Sequence, residues 1–115
     1  MKTFTVKFCL ADSEFMTAVR LTVGAVCAVA DVDIDVTEDM KVCVNESCLY
    51  LKDCGYKDVS VQLSCDGGVV ATVCGEGGTP KENENQFSLA LISALVSSCE
   101  IERAEGVVNK LTLKI

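Results

Sequence analysis

Polar and apolar residues alternate from Met1 to Leu10, with Thr3, Thr5 and Lys7 set against Phe4, Val6, Phe8 and Leu10. A period of two predicts a strand with one buried face. From Asp12 the period changes. Phe15, Val19, Thr22, Val26 and Val29 fall on one side of a helix, expected to run from an Asp12 or Ser13 cap to about Val29. An aspartate-rich connector covers Ala30 to Val36, and Thr37 offers a second N-cap. Glu38 and Asp39 then stand in a first turn, where the helix dipole favours carboxylates. Met40, Cys43, Val44, Ser47, Cys48 and Leu51 keep the i, i+3, i+4 spacing of a buried helix face. That helix should last to about Asp53, with Gly55 as its stop.

Two strands, Lys57 to Cys65 and Val69 to Cys74, flank Asp66-Gly67-Gly68, a strong hairpin signal. A glycine-rich and then polar connector runs from Gly75 to Gln86. A third helix is expected over Phe87 to Ser98, with Phe87, Ala90, Leu91, Ala94 and Leu95 on its apolar side. The chain then reads as a closing hairpin: Glu100 to Arg103, a turn at Glu105-Gly106, and Val108 to Ile115. The order is strand, helix, helix, hairpin, helix, hairpin. It predicts an α/β (α+β) two-layer sandwich, a mixed and mostly antiparallel sheet with helices on one face. Residues 1–115 are one domain's worth of chain.

Composition narrows the chemistry. Ten basic against seventeen acidic side chains give a net charge of −7, which repels phosphate backbones and argues against direct nucleic-acid binding. There is no histidine, so the commonest general base and metal ligand is missing. The longest apolar stretch, Val23 to Ala30, is too short to span a bilayer, and the N-terminal pattern is that of a strand and not a secretory leader. The expectation is a cytoplasmic protein without a membrane role. Eight cysteines would suit a disulfide framework, but they sit within apolar runs, with no C-x-x-C pair. Use as small hydrophobes in a reducing compartment accounts for them better than a metal site or redox switch does.

Three stretches carry a resemblance. Ser13-Glu14-Phe15 with Val19-Arg20-Leu21-Thr22-Val23 is one, and Glu38-Asp39-Met40-Lys41-Val42-Cys43-Val44-Asn45-Glu46-Ser47-Cys48 is the second. The closing order, Ile92 to Val96, Glu100-Ile101-Glu102 and Leu111-Thr112-Leu113, is the third. Together they resemble the bacterial anti-sigma-factor serine kinases of the histidine-kinase-like ATPase superfamily. The resemblance implies that fold over nearly the whole chain, homodimers, and a partner surface near the first helix. On it, Arg20 and Leu21 are candidate partner-binding residues.

The nucleotide positions depart from the family. Its N-box places a glutamate four residues before an asparagine, so that both share one helix face, the first as base and the second as Mg²⁺ ligand. Here the glutamate is Glu46, the candidate catalytic residue, but Tyr50 stands where the asparagine belongs. A phenol is a poor ligand for a hard cation. The family's D-x-G-x-G box falls on Gly75-Glu76-Gly77-Gly78-Thr79, so its adenine-binding aspartate is Gly75 and its first glycine Gly77. Only Pro80 to Gln86 remain where the family carries a long lid. The expected function is therefore regulation by protein–protein binding, with a sigma factor or an anti-sigma-factor antagonist as partner. No cofactor or metal is expected, ATP and Mg²⁺ entering only if the site still works. The alternatives are an active ATP-dependent serine kinase, or a non-catalytic dimeric scaffold.

Overall fold

The computed structural model describes residues 2–65 and 67–115, so Asp66 of the expected hairpin turn lies outside the described residues. The elements are β1 (Lys2–Cys9), α1 (Phe15–Val29), α2 (Ile34–Cys54), β2 (Asp58–Cys65), β3 (Val69–Glu76), α3 (Phe87–Leu95), β4 (Ser98–Ala104) and β5 (Val107–Lys114). They follow the expected order. The strands lie in the order β1-β2-β3-β5-β4, and every neighbouring pair is antiparallel. The expected mixed character is thus absent among the described strands. Val59, Val61 and Leu63 of β2, Val69, Ala71 and Val73 of β3, and Leu111 and Leu113 of β5 are all buried. The residues between them are not, so the three helices cover one face and leave the other to solvent.

α2 is the central helix. Met40, Cys43, Val44, Ser47, Cys48 and Leu51 are all buried, as their spacing predicts. Its start lies one turn earlier than expected. Asp33 caps it by accepting a bond from the Asp35 N–H, while Thr37 is a buried first-turn residue whose hydroxyl donates to the Asp33 carbonyl. Gly55 ends it in the left-handed conformation, φ 104°, as the stop required.

α1 corrects the expectation more sharply. It begins at Phe15, after a turn and without a side-chain cap, and its buried seam is Val19, Val23 and Cys27. Phe15 and Val29, expected on the core side, are exposed. α3 is shorter than expected, because Val96 is already extended, and it buries Leu89 and Ile92 while Phe87, Ala90 and Ala94 stay in solvent. Its contact with α2 leaves the first residue of the helix uncovered. β3 extends to Glu76, so Gly75 belongs to the strand, opposite Val59, and not to the connector. Glu105 and Gly106 both take positive φ, as a two-residue hairpin turn demands. No described helix is long and apolar enough to cross a membrane.

All eight cysteines are free thiols. Burial pushes the Cys48 thiol up to about 12, and burial, then Asp39, Cys99 and Glu46, push Cys43 up to about 11. The folded state therefore favours their protonated forms. Stability from these two groups is full below the ordinary value of 9.0 and is lost as pH rises through the raised values. At pH 8, iodoacetamide should leave Cys43 and Cys48 unmodified in the folded protein and reach all eight thiols after denaturation. Intact mass reads both numbers. Rapid alkylation of these two in the native state would contradict the packing.

Candidate functional site

Glu46 projects from α2 toward α3, where its Oε2 accepts a hydrogen bond from the Ser88 Oγ at 2.9 Å. Both residues are half-buried. Ser88 reaches this position because α3 begins at Phe87, in an entry shaped by Asn85, whose Oδ1 accepts from the Phe87 N–H. The carboxylate that resembles the family's base is thus already bonded to a hydroxyl of its own chain. Spacing along the sequence does not reveal this pair, since 42 residues separate its members.

One turn along α2 is Tyr50, only 1% exposed and the largest fully buried side chain. Its ring completes the core where the resemblance would put a carboxamide. The hydroxyl is buried with no hydrogen-bond partner among the described residues. Burial first, and then nearby Cys54 and Glu82, raise its pKa above the ordinary tyrosine value, making the phenol a weaker acid. Gln86 is near enough to ease that rise, but its amide donates to the Asn83 carbonyl at 3.0 Å. Asn83 in turn reaches the Tyr50 carbonyl, at 3.5 Å. The connector is tied to α2 at this point.

Gly75 is buried under a second tyrosine. A Cβ at position 75 would lie 2.5 Å from Cγ of Tyr56 and 2.6 Å from its Cδ2, so the ring lies directly on the glycine. An aspartate at position 75, which the resemblance would require, has no room beside that ring. Gly77 is exposed at φ 66°, a turn residue at which a Cβ would meet only Lys57 Cβ at 3.6 Å and Asp58 Oδ2 at 3.9 Å. The following backbone is stitched to the end of α2: Thr79 N–H donates to Gly55 at 3.3 Å and Lys81 N–H to Cys54 at 2.8 Å. Glu46, Tyr50 and Ser88 therefore gather along the α3 side of α2, while Gly75 and Gly77 lie with Tyr56 beyond its C-terminal end. Sequence reading missed Ser88 and Tyr56. No signal in the sequence singles out Ser88, whereas an aromatic near a strand glycine is a recognisable pair.

Arg20 and Leu21 stand apart from this cluster. Arg20 Nη1 donates to Asn45 Oδ1 at 2.9 Å and Nη2 to Thr17 Oγ1 at 3.2 Å. These bonds fix the guanidinium over the α1–α2 junction. The ion pairs found among the described residues are Lys7–Glu76, Lys41–Glu38 and Lys110–Glu102, and none engages Arg20. Its charge is held in place and not neutralised. Leu21 beside it is 68% exposed.

Among the described residues, no three histidine, cysteine, aspartate or glutamate side chains converge as a metal site would need. The Glu46–Ser88 pair offers three oxygens, the two of the carboxylate and the serine hydroxyl. Such a pair can hold a hydroxyl and link two helices. No protein-family model matches the chain. No curated protein matches it either.

Proposed function

We propose that this chain is a regulatory protein with the fold of an anti-sigma-factor serine kinase, acting by binding another protein and not by transferring phosphate. The observation that carries the reading is the filling of two positions by aromatic rings: Tyr50 in place of a metal ligand, and Tyr56 over Gly75 in place of an adenine acceptor. The order of elements and the one-faced helical layer agree with that fold. The family's partner, a sigma factor or its antagonist, would meet α1, where Arg20 is held ready and uncompensated. Orientation of such a charge speeds association and selects acidic partner groups more than it adds affinity.

An active kinase is the second reading, and Glu46 is what favours it. Against it stand the Ser88 bond to that carboxylate and the two rings. Each lost polar recognition element costs about 1–3 kcal/mol, and three together would carry a micromolar site to the millimolar range or beyond, at about 1.4 kcal/mol per tenfold. Isothermal titration with ATP and Mg²⁺ is expected to show no binding at micromolar nucleotide. A micromolar dissociation constant would restore the kinase. Arg20→Glu is expected to leave circular dichroism and the unfolding midpoint within experimental error, because the side chain is half-buried and bonded only to neutral groups.

A further inference from the structure

We propose that the groove between α1 and α2 is a docking site for an amphipathic helix of another protein, one with apolar anchors and a basic end. The inference rests on the protein-binding reading above and names the chemistry of its partner. The groove is a cavity of about 430 Å³. Its α1 wall is Leu21, Gly24 and Ala28, and its α2 wall is Ile34, Glu38 and Lys41. Each wall is one helical stripe, at i, i+3, i+7 and i, i+4, i+7. Each runs about two turns, or ~10 Å, the length over which a docked helix presents an i, i+3, i+7 set of anchors.

Three features show a surface shaped for an occupant. Leu21 and Ile34, one on each wall, are 68% and 74% exposed, among the most exposed large apolar side chains described. Gly24 carries no side chain, and the space above it is taken by a side chain of the other wall. Lys41 lies across it, with its Cε 2.9 Å from where a Gly24 Cβ would stand, and its Nζ bonds Glu38 at 3.0 Å. The chain's own cation thus shows where a basic side chain can sit.

Charge decides the occupant. Asp31, Asp33, Asp35 and Glu38 are all exposed at the end of the groove where α1 passes into α2, and Lys41 offsets only one of them. A second copy would bring the same carboxylates and a net −7 against −7. Like charges so placed oppose association. A helix with lysine or arginine at the end facing Asp31 to Glu38 replaces that repulsion with attraction, and its leucines cover Leu21 and Ile34. Arg20, beyond the other end, would accept an acidic residue of the same helix.

The test uses the full chain and a fluorescein-labelled 16-residue helical peptide, with leucines at i, i+3 and i+7 and lysines over its last turn. A charge-reversed glutamate peptide is the control. Fluorescence anisotropy at low salt is expected to show saturable binding of the lysine peptide, at least tenfold tighter than the control and weakened by 0.5 M salt. Gly24→Met fills the floor by displacing only the flexible end of Lys41, and it replaces a poor helix former. It should raise the unfolding midpoint and reduce peptide affinity at least tenfold. Glu38→Lys should also reduce affinity for the lysine peptide and favour the control. Equal binding of both peptides, no binding to the wild type, or unchanged binding by a folded Gly24→Met variant would each overturn the proposal. So would a concentration-dependent wild-type dimer in sedimentation that Gly24→Met abolishes, since the occupant would then be a second copy. ATP titration of the same preparations separates the readings. Tight ATP binding removes the non-catalytic function and leaves the groove result standing, whereas peptide failure without ATP binding removes only the groove.

Discussion

Introducing the two polar residues of the family that the sequence resembles, Tyr50→Asn together with Gly75→Asp, is expected to unfold the protein without producing a nucleotide site. The sequence alone suggests partial recovery of binding, limited by the missing lid. Packing gives a different answer. Tyr50 is 1% exposed, and its loss opens a cavity in the core. Truncating a buried aromatic typically costs about 3–5 kcal/mol, and a carboxamide left in the same space adds the cost of an unpaired polar group. At position 75 the new Cβ would lie 2.5 Å from the Tyr56 ring, so that ring must leave the core, and a carboxylate would be buried in its place. Two such losses exceed what many domains have, since total stabilities run at about 5–15 kcal/mol.

Tyr50→Phe is the informative contrast. It keeps the ring and removes a hydroxyl that is buried without a partner among the described residues. It should leave stability unchanged or raise it by about 1 kcal/mol. Urea unfolding measures all three chains. A double variant with a wild-type midpoint and micromolar affinity for ATP would refute the closed-site account entirely.

How much of this was legible beforehand depends on how one-sided each pattern is. β1 and α2 are readable as elements because their apolar positions keep one period, two in the strand and 3.6 in the helix, although the expected buried face of β1 is only partly covered, with Phe4 52% exposed. The buried seam of α1 is not, because FMTAVRLTVGAVCAV is apolar on nearly every side. Two different seams fit that run, and packing on α2 and the sheet buries the one through Val19, Val23 and Cys27. Gly75 opens the glycine-rich run that reads as connector, yet the Tyr56 ring occupies the place of its missing side chain and the ladder with β2 continues through it. The Glu46–Ser88 bond is a tertiary fact set by how α3 packs on α2, and no local spacing encodes it. Candidate site residues were therefore located along the chain, while what surrounds each one came only from the fold.

That distinction gives the second large effect, at two adjacent glycines the sequence cannot tell apart. Gly77 and Gly78 have nearly the same backbone, φ 66° and φ 73°. Their surroundings differ. A methyl on Gly77 would meet nothing nearer than Lys57 Cβ at 3.6 Å, so Gly77→Ala carries only the left-handed penalty of about 1–2 kcal/mol. A methyl on Gly78 would overlap the Gly55 carbonyl oxygen and lie 2.9 Å from the Lys57 nitrogen. Those are backbone atoms, and no rotamer can move them aside. They belong to the segment that accepts Thr79 N–H and closes the end of α2, so Gly78→Ala must open that junction or displace the connector. With backbone strain and lost hydrogen bonds combined, it should cost about 3 kcal/mol or more. Chemical denaturation of the two single variants is the measurement, and the order Gly78→Ala well below Gly77→Ala is the expected result. Equal midpoints would mean that the connector does not pack against α2. The room for a nucleotide that the packed turn denies would then be open after all.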